Sequence, residues 1–181
     1  MKWIKDEEFI RDQVPMTKEV PRMLTCSFLG LEPGDHFLDI GAGSGSISIQ
    51  MALLGAQVTA VESKKEAVDL IKKNAQKFKV DLDLVHGMAP EACPDQVFDG
   101  IFIGGNRGQM LGILDYAHHH LKAGGSLVAN FVTLANVALL RDWLRDQGYS
   151  YRLDLINHSQ EDRLGILRGQ NPIFIVKGVK K

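Results

Sequence analysis

The stretch that decides the fold runs from residue 36 to residue 46 and reads His-Phe-Leu-Asp-Ile-Gly-Ala-Gly-Ser-Gly-Ser. Its apolar start predicts a buried β-strand, and Gly41, Gly43 and Gly45 then predict a tight turn into a helix. Glycines at such a turn leave the backbone open to a ligand, because no side chain keeps the ligand away. We therefore expect a small-molecule site at the end of this strand.

The spacing of the three glycines indicates which ligand this is. A dinucleotide-binding turn reads Gly-x-Gly-x-x-Gly and would place a glycine at position 46, where this chain has Ser46. The chain also has an acid, Asp39, two residues before the first glycine, and this form resembles motif I of the class I S-adenosylmethionine-dependent methyltransferases. The resemblance implies S-adenosyl-L-methionine as cofactor, held by the turn residues and the acid before them: Asp39, Gly41, Ala42, Gly43, Ser44 and Gly45.

Short apolar runs that predict strands alternate with helical stretches from residue 36 onward. The strands are expected at 36–40, 57–61, 82–86, 98–103, 126–131, 151–156 and 173–177. The helices are expected at 45–54, 65–79, 108–122 and 134–147. Such alternation predicts an α/β fold in which helices cover both faces of a parallel sheet.

The tail of the chain departs from this alternation. Residues 157–172 join the last two strands without a helical period. We therefore expect an antiparallel pair at the end of the sheet, with a loop that reaches over the site. The whole chain, 1–181, is expected to be one domain, with an N-terminal arm and helix at 1–30 over the site and a sheet core at 31–181.

The composition is that of an ordinary globular protein, with 45% hydrophobic and 24% charged residues and a net charge of -1. This charge argues against a broad basic surface for nucleic acid. No apolar stretch approaches the roughly 20 residues of a membrane span. The first residues lack a signal-peptide core, so a cytoplasmic protein is expected.

No metal site is expected either. Cys26 and Cys93 show no metal-binding or pairing pattern. His118, His119 and His120 are consecutive on a predicted helix, so their side chains point about 100° apart and cannot all face one ion.

Two further strand ends add to the expected cofactor site. Glu62 lies 17 residues after Gly45, at the end of the second strand. A carboxylate there can accept hydrogen bonds from both ribose hydroxyls of an adenosyl ligand, although domains that bind NAD use an acid in the same place. Met88 and Ala89 follow the third strand, in the turn that usually covers the adenine in methyltransferases; an ordinary turn is the alternative.

The substrate side carries a more specific resemblance. Gly104 and Gly105 widen the mouth after the fourth strand and suggest a bulky substrate. The matching segments are Val14-Pro15-Met16-Thr17-Lys18, Phe102-Ile103-Gly104-Gly105, Val128-Ala129-Asn130 with Val132-Thr133-Leu134, and Asn171-Pro172-Ile173-Phe174-Ile175. Together with the glycine turn they resemble the decarboxylating cobalt-precorrin-6B methyltransferases of the cobalamin pathway.

This resemblance implies a seven-stranded, mostly parallel Rossmann-like sheet with an antiparallel last strand, and a homotetramer. It implies methylation of carbon 15 of a tetrapyrrole, cobalt-precorrin-6B, with loss of the ring C acetate carboxyl group to give cobalt-precorrin-7. Thr17 becomes a cofactor contact. The chain departs from the family at Pro21, because proline lacks a backbone donor and must lie in the first helical turn or bend the helix.

Methyl transfer to an electron-rich ring carbon mainly requires positioning and exclusion of water, so no catalytic residue is assigned. The substrate carries many carboxylates, so cations are expected around it. The candidate substrate-binding residues are Lys18, Arg22, Gly105, Arg107, Asn130 and Thr133.

Three other interpretations stay open at this point. The first is a methyltransferase for another substrate, either tRNA adenine or protein isoaspartate. The second is an NAD-dependent oxidoreductase. The third is a domain that binds the cofactor without catalysis. The sequence also leaves open whether the precorrin substrate contains cobalt.

Overall fold

The computed structural model describes residues 3–181, and it confirms the predicted alternation of strands and helices. The main helices of this part of the chain are α1 (Glu19–Leu29), α2 (Ser46–Leu53), α3 (Lys65–Phe78), α4 (Met110–His120) and α5 (Leu134–Asp146). The strands are β1 (His36–Ile40), β2 (Gln57–Glu62), β3 (Asp83–His86), β4 (Phe98–Ile103), β5 (Leu121–Phe131), β6 (Ser150–Ile156), β7 (Ser159–Glu161), β8 (Leu167–Gly169) and β9 (Ile173–Val179).

Seven of these strands form one sheet in the order β3-β2-β1-β4-β5-β9-β6. The pairs among β1 to β5 are parallel, whereas β9 runs antiparallel to both of its neighbours, β5 and β6. The predicted seven-stranded sheet with an antiparallel last strand is therefore confirmed. The strand order reverses between β1 and β4, where parallel sheets of this type bind ligands.

Alternate residues of the central strands bury the two faces of the sheet. On β1, Leu38 and Ile40 pack on the side of α4 and α5, while Phe37 packs on the side of α1 and α2. On β4, Ile101 and Phe102 divide between the same two faces. This alternation follows from the period of two along a strand, and it explains why these strands read as continuous apolar runs.

The structure corrects the prediction in two places. The strand expected to start at residue 126 starts at Leu121, directly after α4, and its pairing with β4 shifts register between Phe98 and Gly100. The segment 157–172, expected as a loop, contains a small hairpin in which β7 pairs antiparallel with β8. Its strands are three residues long, too short for a clear period-two pattern.

Helix α1 also resolves the question that Pro21 raised. Pro21 is the third residue of this helix, within the first turn, where a missing backbone donor costs no helical hydrogen bond. The helix ends at Leu29 and is capped by Gly30, whose φ of 73° is left-handed. Within residues 3–181, every helix is too short or too polar to cross a membrane.

Candidate active site

A cavity of about 1260 Å³ opens at the carboxyl ends of the parallel strands. It lies at the reversal of strand order, so the strand ends that the sequence singled out meet around it. Its walls come from the N-terminal arm, from the turns after β1 to β5, and from the segment before β9. The main lining segments are 12–18, 41–43, 62–64, 87–89, 104–107, 170–171 and the residues Asn130 and Val132.

The glycine turn after β1 forms the floor of this cavity. Gly41 and Gly43 have φ values of 71° and 57°, in the left-handed region that favours glycine. A Cβ atom on Gly41 would lie 2.6 Å from the carbonyl oxygen of Gly105, and one on Gly43 would lie 3.1 Å from that of Pro15. These glycines are therefore needed for the close contact of the turn with the β4 exit and with the arm.

Glu62 connects the end of β2 to this turn. Its side chain is only 7% exposed, and its Oε2 accepts a hydrogen bond from the backbone N–H of Gly43 at 2.9 Å. Its Oε1 accepts from the backbone N–H groups of Ser63 and Lys64, both at 2.8 Å. Each carboxylate oxygen has about two acceptor positions, so Oε2 keeps one for a ligand hydroxyl. Glu62 thus holds the turn in place and still faces the cavity.

Asp39 lies behind the turn rather than in the cavity wall. It is fully buried, and its Oδ2 accepts a hydrogen bond from the hydroxyl of Ser48 on α2. Burial raises the pKa of this carboxyl from 3.8 to about 7; the Ser48 hydrogen bonds lower it, and Glu62 raises it further. Its role in the structure is to join β1 to α2 beneath the glycine turn.

Ser44 and Gly45 also lie outside the cavity wall. Both are buried at the start of α2, and a Cβ atom on Gly45 would meet Ile71 of α3 at 3.0 Å. Ala42, Thr17, Met88 and Ala89 do line the cavity. Seven of the ten predicted cofactor residues therefore line the cavity, and the other three, Asp39, Ser44 and Gly45, lie behind the lining.

The predicted substrate residues divide in the same way. Lys18, Gly105, Arg107 and Asn130 line the cavity. Arg107 is exposed and donates a hydrogen bond to the Ser63 hydroxyl at 3.0 Å, which links the β4 exit to the β2 exit. Asn130, at the end of β5, pairs with the hydroxyl of Thr25 on α1, its Nδ2 lying 2.9 Å from Thr25 Oγ1.

Arg22 and Thr133 do not line the cavity. The Arg22 side chain is fully buried, and its guanidinium donates to the carbonyl oxygens of Ile4 and Thr17 and to Asp6. This position does not support the prediction that Arg22 meets substrate, because its charge is directed into the protein. Thr133 is an exposed residue that precedes α5, with no side-chain capping hydrogen bond.

Sequence reasoning missed several lining residues. Ser63 and Lys64 follow Glu62, and Gln170 precedes β9, but none belongs to a motif that could have singled it out. Asp12 and Gln13 lie in the arm, whose path over the site was expected only in outline. Among residues 3–181, no group of three or more His, Cys, Asp or Glu residues could hold a metal ion.

The sheet order, the glycine turn after β1 and the acid at the end of β2 define a class of protein, the class I methyltransferases with a Rossmann-like fold. Within this class the chain belongs to the precorrin methyltransferase family, because the sequence model of the precorrin methyltransferase domain matches residues 7–179.

Individual relatives agree with this assignment. The chain is 39% identical to a probable cobalt-precorrin-6B C(15)-methyltransferase (decarboxylating) of Sulfurisphaera tokodaii, over 98% of this chain and 97% of the relative. It is 35% identical to the Salmonella typhimurium cobalt-precorrin-6B C(15)-methyltransferase (decarboxylating), over 96% and 94% of the two chains. The crystal structure of a precorrin-6y C5,15-methyltransferase from Geobacter metallireducens superimposes with a TM-score of 0.94 at 32% identity, covering 99% of this chain and 97% of that one.

Proposed function

We propose that this protein is an S-adenosylmethionine-dependent C-methyltransferase of cobalamin biosynthesis. It methylates carbon 15 of cobalt-precorrin-6B and removes the carboxyl group of the ring C acetate, giving cobalt-precorrin-7. The observation that carries this proposal is one continuous cavity that joins the glycine turn and Glu62 to the open mouth at 104–107, in a chain of the precorrin methyltransferase family. Its volume of about 1260 Å³ exceeds the roughly 300–1,000 Å³ of a single small-ligand pocket, as a cofactor plus a macrocycle require.

The residues around the glycine turn fit S-adenosylmethionine. Gly41 and Gly43 line the cavity with backbone alone, and Glu62 Oε2 offers an acceptor for a ribose hydroxyl. Met88 and Ala89 offer apolar contact for the adenine, and Thr17 closes the cavity from the arm. The cofactor supplies an electrophilic methyl group on a sulfonium.

The substrate side fits a large anionic ring. Lys18 and Arg107 provide positive charge at the cavity wall, and Asn130 provides an amide that is anchored by Thr25. Gly105 leaves the mouth wide. Cations at such a rim bind carboxylates, which a precorrin carries on its acetate and propionate arms.

The reaction mainly requires the protein to position the two reactants and to remove water from around them. S-adenosylmethionine, held by the glycine turn and Glu62, would supply the methyl group to ring carbon 15 and leave as S-adenosylhomocysteine. Loss of carbon dioxide breaks a carbon–carbon bond, and the conjugated ring takes up the electron pair. The former acetate carbon then gains one proton to become a methyl group, which balances the proton that carbon 15 releases on methylation. An acid–base pair is therefore not required, and the walls of the cavity serve to align the two partners and exclude water.

The direct test incubates the protein with cobalt-precorrin-6B and methyl-labelled S-adenosylmethionine. We expect the product to carry one labelled methyl group and one carboxyl group fewer, as measured by mass spectrometry and by release of carbon dioxide. The metal-free precorrin forms a parallel arm that determines which form is preferred. If neither macrocycle takes up label, the substrate assignment is wrong.

A second experiment separates the alternatives. Isothermal titration calorimetry with S-adenosylhomocysteine should show binding, and NAD should show none. Binding of NAD alone would favour an oxidoreductase. Label transfer to tRNA or to an isoaspartyl peptide, with none to the macrocycle, would favour the other methyltransferases.

The proposal includes a homotetramer, as the family resemblance implies, and a cytoplasmic location. Sedimentation equilibrium should give four times the 20.0 kDa mass of one chain. A monomer at all concentrations would contradict this part of the proposal alone.

A further inference from the structure

The N-terminal segment, residues 3–18, is docked on the helices by polar side chains that are themselves fully buried. Gln50 of α2, Asn74 of α3 and Arg22 of α1 are all 0% exposed. Gln50 Oε1 accepts a hydrogen bond from the backbone N–H of Ile4 at 3.0 Å. Buried polar groups destabilise a protein unless they are hydrogen-bonded. Three such groups directed at one segment therefore indicate that they serve to hold this segment in place.

Asn74 joins this segment to the glycine turn. Its Oδ1 accepts from the backbone N–H of Ile10 at 2.8 Å, and its Nδ2 donates back to the carbonyl oxygen of Ile10 at 3.1 Å. The same Nδ2 donates to the carbonyl oxygen of Ser44 at 3.4 Å. One amide on α3 therefore holds both the arm and the back of the turn whose front faces the cavity.

Arg22 bonds to three residues of the segment, of which the first and the last are 13 residues apart. Its guanidinium donates to the carbonyl oxygen of Ile4, to that of Thr17 at 2.8 Å, and to Asp6 at 3.3 Å. Its Cζ lies 4.8 Å from the centre of the Phe9 ring. Burial lowers the pKa of Arg22, while Asp6 counteracts this shift. The Thr17 carbonyl is thus fixed from inside the protein.

The part of the arm between these anchors forms a wall of the cavity. Residues 12–18 all line it, and a Cβ atom on Gly43 would lie 3.1 Å from the Pro15 carbonyl oxygen. The hydroxyl of Ser46 also points to the Thr17 carbonyl oxygen at 3.4 Å. Asn74 fixes the segment just before this wall, and Arg22 fixes its far end.

We propose that Asn74 and Arg22 are positioning residues for the cofactor: by docking residues 3–18, they set the arm against the glycine turn and complete the cofactor half of the cavity. Neither side chain lines the cavity, so both act through the backbone that they hold. This inference rests on the proposed function in one respect, namely that the ligand of that half is S-adenosylmethionine.

The first experiment uses the full-length Asn74→Asp variant. The substitution keeps the shape of the side chain but leaves the Ile10 and Ser44 carbonyl oxygens facing a carboxylate instead of an amide donor. We expect faster backbone hydrogen exchange in the peptide that spans residues 3–18. We also expect the Kd for S-adenosylhomocysteine, measured by calorimetry, to rise about tenfold, which corresponds to about 1.4 kcal/mol.

The matched control is Leu144→Ala, which removes buried contacts at the far end of α5 and lowers the Tm without touching the arm. A merely structural role for Asn74 would make the two variants alike, with the Kd unchanged at a temperature well below both Tm values. The positioning role requires that Asn74→Asp raise the Kd and that Leu144→Ala leave it within about twofold.

Arg22 provides a graded second series that keeps the test open if Asn74→Asp does not fold. Arg22→Met removes all three hydrogen bonds, whereas Arg22→Lys keeps the charge near Asp6 but cannot reach both carbonyl oxygens. We expect the Kd for S-adenosylhomocysteine to rise in the order wild type, Arg22→Lys, Arg22→Met. The rate of backbone hydrogen exchange in residues 3–18 should rise in the same order.

The outcomes separate this inference from the proposed function. A wild-type protein that binds S-adenosylhomocysteine, with variants that bind it equally well, overturns the positioning role and upholds the cofactor. A wild-type protein that does not bind it overturns the cofactor assignment and the positioning role together. A rise in Kd with unchanged exchange in residues 3–18 also overturns the inference, because the arm would then not be the link.

Discussion

The two halves of the cavity are built in different ways. In the half proposed for the cofactor, around the glycine turn and Glu62, polar groups already bond to one another. Glu62 accepts from the backbone N–H groups of three residues, and Gly41 lies against the backbone of Gly105. In the substrate half, side chains such as Arg107 and Val132 are exposed, and Val132 keeps 68% of its surface. The first half is formed largely by hydrogen-bonded backbone, whereas the second is formed by side chains around an opening.

This contrast teaches where specificity resides. A site held by its own backbone hydrogen bonds binds one ligand at a low ordering cost. A rim of exposed side chains can be changed one residue at a time with little effect on the fold. Substitutions in the two halves should therefore differ in both size and kind.

The largest effect is expected from Gly41→Ala. The added Cβ would lie 2.6 Å from the Gly105 carbonyl oxygen, so the turn must move. We expect the Kd for S-adenosylhomocysteine to rise at least about 100-fold, or about 2.8 kcal/mol, by calorimetry. The matched control is Gly124→Ala, which has a similar φ of 80° and nothing within 4 Å of the new Cβ.

Both variants share the left-handed strain of about 1–2 kcal/mol, so only the close approach distinguishes them. Equal cofactor affinity in the two would break the contrast between the halves, because the turn would then be as adaptable as the rim.

Glu62→Gln should have the next largest effect. An amide cannot accept at both ends, so either Gly43 or the Ser63 and Lys64 N–H groups would lose their acceptor. We expect a 10- to 100-fold higher cofactor Kd, from a loss of about 1.5–3 kcal/mol, with a small fall in Tm. Glu32→Gln, an exposed acid away from the cavity, should leave the Kd unchanged.

Arg107→Ala tests the half of the cavity that is proposed for the substrate. An exposed cation and a carboxylate typically gain about 0.2–1 kcal/mol, so the KM for the macrocycle should rise by no more than about fivefold. The Kd for the cofactor should stay the same. Arg145→Ala, exposed at the end of α5, serves as the control. A large loss of cofactor binding in Arg107→Ala would show that the two halves are not separable.

The smallest effect on cofactor binding is expected from Asp39→Asn, which instead changes the pH dependence of stability. Burial raises the pKa of Asp39 from 3.8 to about 7, so its contribution to stability is fully present below about pH 4 and is lost as the pH rises through 7. Urea unfolding at pH 5 and pH 8 should show a smaller difference in Asp39→Asn than in wild type. A larger difference in unfolding free energy between pH 5 and pH 8 in the variant than in wild type would contradict this prediction.

The sequence predicted the fold well because the central strands are buried on both faces. Their apolar runs and the glycines between them are local signals, and six of the seven sheet strands begin within one residue of their predicted start. The early start of β5 at Leu121 was missed because Lys122, Ala123 and the two following glycines do not resemble a strand. Pairing with β4 and β9 decides that region, and pairing is not a local property.

The site was predictable where a motif fixes the backbone, and less so where tertiary packing decides. Gly41, Gly43 and Glu62 lie in or at the cavity as expected. Alternate residues of β1 face opposite sides of the sheet, and Asp39 lies on the side of α2. The sequence pattern does not show which of the two sides contacts a ligand, so this position was not predicted. Arg22 was predicted to bind substrate, because nothing local in the sequence shows that a folded-back arm covers its side chain.

The contact between Gly41 and Gly105 restricts a side chain at only one of the two residues. A Cβ atom on Gly41 would collide with Gly105, but a Cβ atom on Gly105 would lie 3.9 Å from the nearest atoms of Gly41. The glycine turn therefore cannot accept a side chain at Gly41 without moving, while residue 105 opposite can accept one that narrows the mouth. A lineage could thus explore new acceptor molecules at residue 105 while its methyl donor stays the same.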